Sequence, residues 1–174
     1  MWKTHLERWT RTNEKFKTEI DGVLQPGRNT EYYIYQTLIG IWPFEQMNQS
    51  AHREFLDRLE QSIVKAVREA KVDTNWTNPN VIFEEAIKKF IRGILSFEGE
   101  NRFLKSFLPF QKKISKLGML GSISSTVLKL GSPGVVDIYQ GSEIENFQLV
   151  DPDNRGKVDF AVRSRLLKQF QQRS

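Results

Sequence analysis

The sequence predicts a mainly α protein: a bundle-like set of helices followed by one short strand. Two observations predict it. Apolar residues recur at spacings of three and four through most of the first 130 residues, which is the signature of amphipathic helices. A β-branched and aromatic run bounded by glycines occurs once, at Val135-Val136-Asp137-Ile138-Tyr139. The 174 residues include 12 Phe, 4 Trp and 4 Tyr, enough for a substantial core, and length alone predicts a single domain.

Leu6, Trp9, Phe16 and Ile20 drift along one side of a first helix over about nineteen residues, and Asp21-Gly22 ends it. Gln25-Pro26-Gly27-Arg28 is a loop, after which Asn29 caps a helix whose first turn carries Glu31. Its body holds Tyr32, Tyr33, Ile34, Tyr35, Leu38 and Ile39, and an apolar character on nearly every side requires other elements around it. Trp42-Pro43 closes it. From Ser50 to Ala70, Phe55, Leu59, Ile63, Val67 and Ala70 mark the clearest amphipathic helix.

The stretch from Lys71 to Asn80 is dense in turn formers, and Asn78 then Pro79 suit the N-cap and first position of the next helix. That helix carries Phe83, Ile87, Phe90, Ile91 and Ile94. A turn at Glu98-Gly99-Glu100-Asn101 leads to Phe103, Leu104, Phe107 and Leu108. Pro109 interrupts, a short helix restarts and ends at Gly118, and a further helix with Ile123, Val127 and Leu128 stops at Gly131-Ser132-Pro133. The strand at 135–139 has no second strand to pair with. It pairs with another copy, stands as an isolated extended segment, or belongs to a sheet whose other strands lie elsewhere.

Composition excludes several chemistries. With no Cys, disulfides, thiol nucleophiles and zinc ribbons are out, and His5 and His52 cannot build a histidine cage, so no metal site and no cofactor are expected. Both histidines lie on polar helices and are expected to be solvated. No run approaches the ~18 apolar residues of a membrane span, and the first residues show no apolar signal core. A cytoplasmic protein without a membrane partner is the expectation. The 26 Lys+Arg against 21 Asp+Glu leave +5, which raises a nucleic-acid partner as a question. Lys112, Lys113, Lys116, Arg163, Arg165, Lys168 and Arg173 sit on amphipathic helices, however, and read as a solvated face; no nucleic-acid partner is expected.

The most specific passage is Gly131-Ser132-Pro133-Gly134-Val135-Val136-Asp137-Ile138-Tyr139-Gln140-Gly141-Ser142-Glu143, followed by Asp151-Pro152-Asp153-Asn154-Arg155 and Val158-Asp159-Phe160. It resembles the eighth-strand region of alpha-amylase-type barrels, where a Gly-x-Pro turn feeds a strand ending in Tyr-x-Gly-x-Glu. More narrowly, it resembles the maltooligosyl trehalose synthase family, the (1→4)-alpha-D-glucan 1-alpha-D-glucosylmutases. Two upstream blocks are similar to the same family: Arg28-Asn29-x-Glu31-Tyr32-x-x-Tyr35-Gln36-Thr37-Leu38-x-Gly40-x-Trp42-Pro43 and Arg68-Glu69-Ala70-Lys71-x-x-Thr74-x-Trp76-x-Asn78-Pro79-Asn80. The chain departs from the family's pattern at Asp73, Val136 and Ile144.

The resemblance implies a parent enzyme that turns the reducing-end alpha-1,4 bond of a maltooligosaccharide into an alpha,alpha-1,1 bond by intramolecular transglycosylation. Such retaining chemistry needs a carboxylate nucleophile, a second carboxyl as acid and base, and exclusion of water. The superfamily's nucleophile lies in an Asp-Gly-x-Arg-x-Asp pattern, whereas Asp21-Gly22 is followed by Val23-Leu24-Gln25, and neither histidine precedes an Asp. No catalytic residue is therefore expected in this chain. The resemblance divides it into a helical insertion region, 1–130, and a segment, 131–174, holding strand eight of a (β/α)8 barrel and the following helix. The family's β-rich C-terminal domain would lie beyond Ser174.

Barrel active sites form at the C-terminal ends of the strands, so Tyr139, Gln140 and Glu143 are the first candidates for sugar contact. Tyr139 stacks on or hydrogen-bonds a glucose ring, or else is a core aromatic; Gln140 binds hydroxyls; Glu143 orients neighbours, or else sits at a helix N-terminus. Asp151, Asp153 and Asn154 suit Asx turns, with Arg155 as their charge partner or a sugar contact. Lys71 and Trp76 line a groove in which Trp76 offers a flat apolar face, or Trp76 packs under a loop. The excised section is also expected to self-associate through the strand's open edge. The competing reading is a freestanding basic all-α module that binds RNA or protein.

Overall fold

The computed structural model describes residues 1–172, so Arg173 lies outside the described residues. The architecture is mainly helical. Helix α1 spans Trp2–Asn13, strands β1 and β2 span Thr18–Ile20 and Val23–Gln25, and helices α2, α3 and α4 span Arg28–Ile41, Gln49–Ala70 and Val81–Leu95. Helix α5 spans Arg102–Gly131 and α6 Phe160–Gln171. Two compact units result, Met1–Ser115 and a second beginning at Lys116, the division falling within α5.

Several local readings of the sequence are corrected in the first unit, beginning with its helix ends. The first helix stops at Asn13 rather than near residue 20, and the chain turns back as an antiparallel hairpin with Ile20 paired to Val23. Asp21 and Gly22 both have positive φ, +50° and +79°. Two such residues in a two-residue loop match the right-handed twist of the flanking strands, so Asp-Gly here makes a hairpin instead of ending a helix. Helix α4 is capped by Asn80, whose Oδ1 accepts from the Phe83 N–H at 3.1 Å, and not by Asn78, whose own N–H is committed to Asn75 Oδ1 at 2.7 Å. Likewise Gly27, not Asn29, occupies the N-cap of α2.

Pro109 does not interrupt α5, which runs through it unbroken. Phe103, Leu104 and Phe107 before it and Phe110 after it are all buried, and their packing outweighs the one hydrogen bond the proline forfeits. Asn101 joins α4 to α5 from both sides: its Oδ1 accepts from the Leu104 N–H at 3.0 Å, and its amide donates to the carbonyls of Ile94 and Ser96.

The core of the first unit is aromatic. Trp9 is fully buried, meets Tyr35, Phe103 and Phe107 with ring centroids at 5.5 Å, and donates its indole N–H to Ser106 Oγ at 3.1 Å. Phe107 passes the cluster on to Trp42, and Trp42 to Phe55 of α3. The tyrosine trio divides: Tyr35 is core, while Tyr32 and Tyr33 are exposed. Buried Glu31 accepts the Tyr35 hydroxyl at 2.7 Å and pairs with Lys17 at 2.8 Å, tying the hairpin to α2. Burial, then the Glu31 charge, pushes the Tyr35 hydroxyl far above its ordinary pKa, so it stays a donor. Helices α3 and α4 run antiparallel, joined by the bidentate pairs Arg68–Glu84 and Arg92–Glu60.

The histidines are not simply solvated. His52 Nε2 lies 3.0 Å from the Leu95 carbonyl with its ring 4.2 Å from Phe97, and His5 packs 4.2 Å from Phe110. Burial lowers the His5 pKa, with help from Arg8 and the amino terminus.

In the second unit, residues 135–139 form neither helix nor ladder, so of the readings open for this run the isolated, unpaired segment is the one observed. Val135 is fully exposed and Ile138 and Tyr139 about half exposed, so the run is not buried either. A lone β-prone segment has no backbone partner to pair with, and propensity does not supply one. The second half of α5 is apolar on several sides yet uncovered: Leu117, Leu120, Ile123, Val127, Leu128 and Leu130 are each 58–69% exposed. Among the described residues, no helix is long and apolar enough to cross a membrane.

Candidate functional site

The candidate site in the second unit is built around the turn after Tyr139. The Tyr139 carbonyl accepts from both the Ser142 N–H at 3.2 Å and the Ser142 hydroxyl at 2.6 Å, which folds Gln140 and Gly141 into a tight reversal. Gly141 has φ +85°, so a side chain there would be strained, although a Cβ would make only ordinary contacts with Val158, Arg163 and Asn146 at 3.4–3.6 Å. The turn presents Tyr139, 52% exposed, and Gln140, also exposed. The Tyr139 hydroxyl reaches to 3.5 Å from the Asn154 carbonyl, a long contact that brings the Asp151–Arg155 turn alongside.

In that second turn Asp153 Oδ2 accepts from the Leu149 N–H at 2.6 Å, and Arg155 pairs with Asp151 at 2.7 Å. Arg155 is thus held as a charge partner, its guanidinium pKa raised by the Asp151 carboxylate. Tyr139, Gln140, Glu143 and Arg155 therefore belong to one neighbourhood.

Glu143 is not at a helix N-terminus. It sits in the turn and takes the Arg163 Nε–H of α6 at 2.8 Å, a hydrogen bond that holds its carboxyl below the usual glutamate range, with backbone N–H contacts adding to the effect. Arg163 is also corrected from a solvated cation: only 17% of its side chain is exposed. Beside Glu143 lies a groove of about 530 Å³ between α5 and residues 138–145. Ile123, Val127, Leu130 and Ile138 give it apolar walls and Ser122, Thr126, Lys129, Ser142 and Glu143 polar ones, a mixed lining of a size that suits a small polar organic ligand.

Lys71 and Trp76 lie in the first unit. Lys71 ends α3 in the left-handed region, φ +57°, and is exposed. Trp76 is 54% exposed rather than packed under a loop, with the Arg68 guanidinium 5.0 Å from its ring centroid. The loop beneath is rigidly tied. Glu84, almost wholly buried, takes two hydrogen bonds from Arg68 and one from the Thr74 hydroxyl, and Thr74 in turn accepts from the Asn80 N–H. The Arg68 bond is the main reason the Glu84 pKa is lowered. Sequence reasoning missed Arg68, Thr74 and Glu84 as the support of Trp76, and Arg163 as the partner of Glu143. The signal for the first set was present, because Arg68 and Thr74 stand in the same block as Trp76.

No three His, Cys, Asp or Glu side chains gather as a metal site among the described residues. Taken together, a closed helical unit and a second unit whose apolar helix and turn-borne aromatic stand uncovered have the character of one section of a larger assembly of elements. No family model matches the chain. A Mycobacterium tuberculosis protein named as a maltooligosyl trehalose synthase is 32% identical over 146 residues, 84% of this chain but 18% of that protein. A crystal structure of maltooligosyl trehalose synthase superposes on 97% of the chain with a TM-score of 0.82 and 35% identity, again covering 21% of the larger chain. The synthase from Arthrobacter ramosus superposes on 97% with a TM-score of 0.75 at 30% identity. Over most of its length the chain is similar to one section of maltooligosyl trehalose synthases. It spans about a fifth of the length of these relatives.

Proposed function

We propose that the chain serves as the helical section and substrate-facing turn of an intramolecular transglucosylase. The parent converts the reducing-end alpha-1,4 bond of a maltooligosaccharide to an alpha,alpha-1,1 bond, a step in making trehalose from glucan. The observation that carries the reading is the 30–38% identity to solved synthases across 90–97% of the chain. A cytoplasmic setting goes with it.

In this reading the catalytic carboxylates are supplied by the remainder of the parent. Glu143, the acidic residue of the turn, is spoken for by Arg163, which suits orientation better than nucleophilic attack. Tyr139 gives an exposed ring and a hydroxyl, Gln140 an amide for sugar hydroxyls, and Arg155 a neutralised cation at the rim. Trp76 offers a ring for a glucose face, and Lys71 a flexible donor at the end of α3. The uncovered apolar half of α5 is where the parent's other elements pack.

Two measurements test this. The purified chain incubated with maltopentaose is expected to leave the reducing ends intact, and their loss in proportion to added chain would refute the placing of the carboxylates elsewhere. The parent reading frame is expected to carry an Asp-Gly-x-Arg-x-Asp motif and a His-Asp pair upstream of Met1; a frame without them removes the enzyme reading.

A further inference from the structure

We propose that Arg163 is the positioning residue of the Tyr139–Glu143 turn: one guanidinium holds the Glu143 carboxylate and the Gly141 carbonyl together, and so presents Tyr139 and Gln140 to the glucan. The inference rests on the sugar-facing reading of that turn and names what keeps it in place.

The geometry is a three-way fork. Arg163 Nε donates to Glu143 Oε2 at 2.8 Å, one terminal nitrogen to the Gly141 carbonyl at 2.5 Å, and the other to the Asp159 carbonyl at 3.0 Å. Two of these acceptors lie in the turn, 20 and 22 residues before the arginine, and the third is the N-cap residue of α6, whose side chain also accepts from the Val162 N–H at 3.0 Å. The clamp therefore ties the turn to the start of a helix, which is its stiffest neighbour. Gly141 suits the arrangement through its φ of +85°, a backbone conformation that a side chain would strain.

Lys129 donates to the Asp137 carbonyl at 3.0 Å just before the turn, but within Tyr139–Glu143 the long-range hold comes from Arg163. The remaining bonds within it are local, from Ser142 to the Tyr139 carbonyl, and the Tyr139 hydroxyl contact is long. Residues 135–139, which lead into the turn, have no ladder to hold them. A planar cation with donors fixed in three directions suits this task, whereas a lysine ammonium on a flexible stem cannot hold the same acceptors in the same plane.

The test uses the whole chain and two variants, Arg163→Lys and Arg163→Gln, with carbon-detected NMR of the Glu143 carboxyl through a pH titration and a maltopentaose titration followed at Tyr139 and Gln140. In the wild type, Glu143 is expected to titrate below the ordinary glutamate range. In Arg163→Gln it returns to that range, and maltopentaose affinity falls on the order of tenfold while far-UV circular dichroism is retained. Arg163→Lys keeps a cation near Glu143 and is expected to preserve much of its depressed titration without restoring affinity, a split that mere loss of charge would not produce. Should the glutamine variant lose its helical signal, the lysine variant alone decides.

Wild-type affinity retained in both variants would overturn the positioning role, as would an unchanged Glu143 titration in Arg163→Gln. A wild-type chain that shows no maltopentaose response at Tyr139 and Gln140 would instead refute the sugar-facing reading, and the positioning role with it. The two failures are therefore told apart by the wild type alone.

Discussion

The two units of this chain treat apolar side chains in opposite ways. In the first, Trp9, Tyr35, Phe103 and Phe107 are fully buried against one another, and the charged groups that enter the interior come in matched pairs such as Lys17–Glu31 and Arg68–Glu84. In the second, Leu120, Ile123, Val127 and Leu128 of one helix face outward, and the ion pairs Arg155–Asp151 and Arg163–Glu143 organise turns instead of sealing a core. The first unit has drawn an aromatic core out of water while leaving side chains such as Val72, Trp76 and Ile82 exposed; the apolar helix of the second has the composition of a core and the exposure of a surface. Among the described residues, the apolar half of α5 stays mostly exposed even where it lines the groove with residues 138–145.

The contrast is broken most directly by paired truncations. Phe103→Ala, which empties a fully buried ring site touched by Trp9, Tyr35 and Phe107, is expected to cost about 3–5 kcal/mol in urea unfolding followed by circular dichroism. Gly93→Ala comes next. A Cβ at Gly93 would stand 2.5 Å from the Phe16 ring, so the ring must shift, and overpacking of this kind costs about 1–3 kcal/mol. A thermal melt of this variant equal to the wild type would show that Phe16 is not held against α4.

Acid provides the third test. Glu84 has its pKa lowered in the fold, chiefly by Arg68, so its contribution is fully present above the ordinary glutamate value and is lost as pH falls through the lowered one. Melting temperature is expected to drop below about pH 4.5 and to drop less steeply in Glu84→Gln; identical slopes would remove Glu84 from the acid response. The smallest effect on folding belongs to the second unit. Leu128→Ala removes an exposed side chain and is expected to change stability by less than about 0.5 kcal/mol. Sedimentation velocity of the wild type is expected to show a mass that rises with concentration, and Ile123→Lys with Val127→Lys to abolish the rise.

Legibility in the sequence followed the range of the interactions. Helices α3 and α4 were readable because their apolar stripes at three- and four-residue spacing are local patterns, and the observed starts and ends differ by one or two residues. The hairpin was equally local and was still misread: Asp21-Gly22 between Ile20 and Val23 is a hairpin signal, but the helical drift of Leu6, Trp9 and Phe16 hid it. Pro109 misled in the other direction, because its cost is visible in sequence while the four buried side chains that outweigh it are not.

By itself the sequence determined the helical class, the family blocks around Trp42, Trp76 and Tyr139, and the lack of the superfamily's nucleophile pattern, since each is written in contiguous residues. Tertiary structure alone decided which of the readings open for residues 135–139 is realised, that Trp76 stands exposed on an Arg68–Glu84 support, and that Arg163 reaches back to Glu143. The physical reason is common to all three. A ladder, a buried ion pair and a guanidinium clamp depend on what the fold brings near, and spacing along the chain carries no record of a partner many residues away.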